Sequence, residues 1–67
     1  MFKWGNADEI GFLLNVVYPD ADPIAVRYTE LRKMVLTLDG FEDDPAGSTE
    51  SRLEAIQMAW LAYRVES

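Results

Sequence analysis

The sequence predicts a mainly α fold: one small domain over residues 1–67, built from three helices and one short helical turn. Three observations carry this. Apolar residues recur at i, i+3, i+4, i+7 in one long segment after another. No run alternates apolar and polar residues for the length of a strand. And 49% of the 67 residues are apolar, with two Trp, three Tyr and three Phe, while Cys and His are absent. A chain this short buries only roughly 60% of its unfolded surface. Without disulfides or zinc, aromatic and aliphatic packing has to hold it together.

The elements follow in order. Phe2-Lys3-Trp4 reads as an extended arm that packs back on the domain. Asn6, with Glu9 three residues on, predicts a capping box. Ile10, Leu13, Leu14 and Val17 then mark a helix over 7–17, ended by Tyr18-Pro19. Asp22 as N-cap and Pro23 at N1 open a helical turn over 24–26. Thr29 is the expected cap of a helix over 30–39, with Leu31, Met34, Val35 and Leu38 facing inward and Gly40 at its end. Ser48 or Thr49 caps a last helix over 49–65. Its core face is Leu53, Ile56, Trp60 and Tyr63, flanked by Ala55 and Ala59, while Met58 and Ala62 point outward. Trp4 and Trp60 are expected in the core. Phe12 and Val16 lie off the main stripe. Partial burial under the N-terminal arm is the favoured reading for them, an exposed self-association or partner patch the sharper one.

The net charge of −6 is uneven. Residues 1–38 carry five acids and four bases, residues 39–54 six acids and one base, and residues 55–67 one of each. The excess centres on Asp39-Gly-Phe-Glu-Asp-Asp-Pro45. Such a field disfavours nucleic acid and anionic membrane and steers toward cationic surfaces or metal ions. No apolar run approaches a membrane span or a signal peptide, so a cytoplasmic protein is expected.

Residue types also limit the chemistry. Without His and Cys there is no Ser-His or Cys-His nucleophile and no ordinary iron–sulfur ligand set. No Gly-rich phosphate loop is present. The paired carboxylates lie in a loop read as solvated, whereas general acid catalysis needs a carboxyl raised by burial. An enzyme is not expected. Aligned from Asp39, a calcium loop needs an acid at 41 and Gly at 44, where Phe41 and Asp44 stand, so that match fails. Glu42, Asp43 and Asp44 are left as either a solvated acidic loop or a loose oxygen site for a hard or borderline cation. Asp44-Pro45 reads equally as a cap and N1 pair. Asp22-Pro23 reads as a cap, and Arg27 as an ion-pair partner for Asp20, Asp22 or Glu30.

Lys3-Trp4, Glu9-Ile10-Gly11, Tyr18-Pro-Asp20, Asp22-Pro23, Val26-Arg27-Tyr28-Thr29, Leu38, Phe41-Glu-Asp-Asp-Pro45, Ser48, Glu50, Leu53-Glu-Ala-Ile56 and Trp60-Leu61 together resemble the IscX family. These are small acidic proteins encoded with the bacterial iron–sulfur cluster assembly machinery. The resemblance covers the chain in order. It implies a modified winged-helix-like domain, although the charge argues against DNA binding. It further implies a monomeric adaptor or regulator that docks an acidic face on a basic patch of the cysteine desulfurase IscS, on ground overlapping that of a frataxin-like protein. Carried over by position, that face would comprise Asp20, Asp22, Glu30, Asp39, Glu42, Asp43 and Asp44, with Phe41 as an apolar contact. Weak Fe2+ binding by Glu42, Asp43 and Asp44 is implied, with no tightly bound cofactor. The alternative function is an iron donor or sensor with Fe2+ as its primary ligand. Phe12, Asn15 and Val16 stand where family members commonly carry acids.

Overall fold

The computed structural model describes residues 1–66. Three helices, α1 (Ala7–Val17), α2 (Tyr28–Leu36) and α3 (Glu50–Glu66), are joined by two turns, and a single 3-10 turn, Pro45–Gly47, precedes α3. Among the described residues there is no strand, only a parallel β-bridge between Phe2 and Phe41. Among the described residues no helix is long and apolar enough to cross a membrane.

α1 has the expected bounds but not the expected cap. The Asn6 side chain accepts no bond from the helix. Its Oδ1 takes the Lys3 N–H at 2.8 Å instead, while its own N–H donates to the Lys3 carbonyl at 2.9 Å. The tight Lys3–Asn6 turn consumes both groups that a capping box needs, leaving Glu9 nothing to cap. α2 begins two residues earlier and ends three residues earlier than the spacing predicts. Arg27, extended at φ −76° and ψ 155°, is the capping position, and Thr29 lies inside the first turn. At the far end Thr37 donates its hydroxyl to the Met34 carbonyl at 2.7 Å. That local bond competes with helix propagation. The chain then tightens, Leu38 N–H to Val35 O and Phe41 N–H to Leu38 O, and Gly40 takes φ +90°, a conformation that glycine allows without strain. Asp22–Val26 is one hydrogen-bonded turn, with the Ala25 and Val26 N–H groups on the Asp22 carbonyl.

The core consists of Phe2, Trp4, Ile10, Leu14, Leu31, Val35, Leu38, Leu53, Ile56 and Trp60. Both tryptophans are fully buried, as the sequence implies. α1 packs chiefly on α3. The closest approach is at Gly11: a Cβ there would stand 2.7 Å from the Trp60 backbone nitrogen and 2.8 Å from Ala59. Gly11 and Ala59 together let the two helices touch backbone to backbone, whereas Ala55 faces solvent. Val17, expected inside, ends its helix half exposed at 53%. Phe12 is not covered by the N-terminal arm. The arm runs to Phe41, and Phe12 instead meets the ring of Tyr63 edge-on.

Candidate partner-binding loop

The N-terminal arm builds the acidic loop. Phe2 donates its N–H to the Gly40 carbonyl at 3.1 Å and accepts the Glu42 N–H at 3.0 Å. This bridge lays Phe41 over the arm: its ring meets Phe2 at a centroid distance of 5.8 Å and Trp4 at 4.8 Å, both edge-on. Trp4 then reaches into the loop twice. Its indole Nε1 donates to the Asp44 carbonyl at 2.7 Å, and its backbone N–H donates to Asp43 Oδ2 at 3.2 Å. A buried indole usually finds a polar partner. Trp4 finds its own in the loop and so holds it, whereas the buried Trp60 Nε1 has none among the described residues.

The loop also ties itself. Asp43 Oδ1 accepts the Asp44 N–H at 2.7 Å, and Asp44 Oδ1 accepts the Ala46 N–H at 3.0 Å. Asp44 thus caps the 3-10 turn with Pro45 in its first position, so the cap reading of Asp44-Pro45 holds. Arg52 donates to the Gly47 carbonyl and Arg32 to the Ser48 hydroxyl. Gly47 lies against the indole face: a Cβ there would be 2.9 Å from Trp4 Cδ1. The N–H groups of Asp44 and Trp4 hold the Asp43 carboxyl below the usual aspartate range, with smaller help from the charges of Lys3 and Arg52.

The predicted acids therefore fall into two groups. Asp43 and Asp44 have structural work, and so does Asp22, whose Oδ1 accepts the Ile24 N–H at 3.0 Å. Asp20, Glu30, Asp39 and Glu42 are exposed, and none holds a partner among the described residues. Arg27 likewise makes no ion pair with Asp20, Asp22 or Glu30 there; it too is exposed, and its backbone serves as the α2 cap. Position divides them again. The loop with Asp39, Glu42, Asp43 and Asp44 is tied to Arg52, near the start of α3. The turn with Asp20 and Asp22 is tied to Gln57 and Arg64, roughly 8–18 Å further along that helix. Phe41 is half-buried, so much of its ring props the loop from within. Among the described residues no three carboxylates come together as a metal site, Glu42, Asp43 and Asp44 included. Nor do the described residues enclose a pocket.

Sequence reasoning placed Trp4 in the core but missed its second role. The signal was available. An indole outside any helical stripe tends to find an acceptor, and Gly47, just past the acidic run, leaves room for the ring against the backbone.

What fold and loop define together is a small acidic helical domain with a built, outward-facing carboxylate display. Residues 2–64 match the family described as iron-sulphur cluster assembly, and the chain belongs to that family, the family of IscX. It is also similar to the uncharacterized protein PA3808 of Pseudomonas aeruginosa, with 44% identity over 62 residues covering 92% of this chain and 94% of that one.

Proposed function

We propose that this protein is a non-enzymatic adaptor of iron–sulfur cluster assembly that docks its acidic loop on the basic surface of a cysteine desulfurase and so modulates sulfur transfer. Family membership supports the process. The observation that carries the docking mode is the clamp on the loop: Trp4 holds Asp43 and the Asp44 carbonyl, while Asp39 and Glu42 stand exposed beside them. A display held in place binds without paying the ordering entropy of a free loop. Charge then steers the encounter, and Phe41 supplies a small apolar edge.

A frataxin-like protein that presents acids to the same basic patch competes with it. Iron binding in this reading is weak and unselective. Carboxylates that do not converge attract Fe2+ and other hard cations through their common field, not through a defined coordination shell. The protein acts as a cytoplasmic monomer, and nucleic acid and anionic membrane are repelled.

Titration of a purified cysteine desulfurase with this protein, at rising salt, tests the reading. Affinity should fall steeply as ionic strength rises from about 20 to 200 mM. No binding at low salt, or binding that salt leaves unchanged, overturns it.

A further inference from the structure

The outer sides of α1 and α3 carry an apolar surface that neither the core nor the acidic loop uses. Phe12 and Val16, one helical turn apart on α1, are 49% and 60% exposed. The Phe12 ring meets Tyr63 of α3 with centroids 5.5 Å apart, which joins the outer sides of the two helices. Met58 and Ala62, one turn apart on α3, face solvent as well, Met58 at 58%.

Charge says what can cover this surface. Asp8 and Glu9 stand four and three residues before Phe12, and Glu66 stands three residues after Tyr63. All three are exposed. The two cations of these helices are engaged in hydrogen bonds of their own. Arg64 donates to Asn15 Oδ1 and to the Tyr18 and Ala21 carbonyls, and Arg52 donates to the Gly47 carbonyl. The apolar strip therefore has an acidic rim. A second copy would bring acid against acid between chains of net charge −6. An anionic lipid surface meets the same repulsion.

We propose that the Phe12–Val16–Tyr63 strip is a second docking surface and that its occupant is an amphipathic helix of another protein, with an apolar stripe bordered by Lys and Arg. This stands independently of the desulfurase reading, because it uses none of the acids of the 39–44 loop.

The test takes the 15N-labelled protein and two synthetic helical peptides of about 18 residues, one of Leu and Lys and one of Leu and Glu in the same pattern. The Leu/Lys peptide should shift the amides of Phe12, Val16, Ala62 and Tyr63. Val16→Ser and, separately, Phe12→Ser should each weaken it about tenfold, more than Glu42→Gln does. The Leu/Glu peptide should leave the strip unshifted. Three results overturn the proposal: shifts confined to the acidic loop with both serine variants binding like the parent, equal binding of the Leu/Glu peptide, or self-association in sedimentation that Val16→Ser abolishes.

Discussion

The chain folds an Asp-Pro pair into a turn twice, and the two turns differ in how they are tied down. Asp22 and Asp44 each accept the N–H two residues on, at 3.0 Å in both cases, with proline next in line. Around Asp22 the outside ties reach backbone carbonyls: Gln57 Nε2 donates to Pro23 O, and Arg64 donates to Tyr18 O and Ala21 O. Around Asp44 one of the ties reaches a carboxylate, because the Trp4 N–H donates to Asp43 Oδ2. The first arrangement fixes the chain and spends none of its acids on another segment. The second uses a side chain that also belongs to the charged display. Charge is thus tied to shape only locally in the 20–23 turn, through Asp22, and between distant segments in the 42–47 loop.

Four expected outcomes sharpen that difference. The largest concerns the anchor of the charged loop. Trp4→Ala should cost about 3–5 kcal/mol in urea unfolding, most of what a domain this small has, and Trp4→Phe far less. By contrast Gln57→Ala, which removes one bond from the other turn, should cost about 1 kcal/mol. Next, Gly47→Ala presses a methyl on a fully buried indole that has no room to yield, and should lower stability by about 1–3 kcal/mol in thermal melts. Third, Asp22→Ala and Asp44→Ala should each cost about 1 kcal/mol as lost caps. Only Asp44→Ala should also weaken desulfurase binding, read by titration of both variants.

The smallest effect is in pH. The Asp43 pKa is lowered in the folded state, first by the Asp44 N–H and then by that of Trp4. The charged form is therefore favoured by folding. Its contribution is fully present above the unfolded-state value and is lost as pH falls through the lower folded value. Asp43→Asn should flatten this part of the acid limb in melting temperature against pH. An acid limb unchanged by the substitution would show that the N–H groups of Asp44 and Trp4 do not favour the charged Asp43 carboxyl.

Much of the helix content was legible because it rests on local periodicity. The stripes at Ile10–Leu14, Leu31–Val35 and Leu53–Trp60 name buried residues directly. What stayed hidden depends on contacts far apart in sequence. Asn6 could not be recognised as a turn residue without knowing that Lys3 folds back on it. The early end of α2 reflects a Thr37 hydroxyl that turns to its own backbone and also stands 2.9 Å from the Tyr18 hydroxyl; with its proton given to Met34 O, it accepts from Tyr18. In the candidate site the acids themselves were plain, and a cap role for Asp44 stood open beside a binding one, which the structure resolves as a cap. The division of the acids into structural and unpartnered groups was not plain, since Asp43 is claimed by an arm some forty residues upstream while Asp22 and Asp44 turn to N–H groups two residues on.

The central claim is that the held loop, and within it the unpartnered acids, makes the contact. It is tested most directly by titrating a cysteine desulfurase with the Asp39→Lys/Glu42→Lys double variant beside Asp20→Lys. Both should melt within about 0.5 kcal/mol of the parent, because none of these side chains holds a partner among the described residues. The account predicts that the double variant loses at least about tenfold in affinity at low salt and that Asp20→Lys loses much less. Full-strength binding by the double variant, or an equal loss for Asp20→Lys, would contradict it.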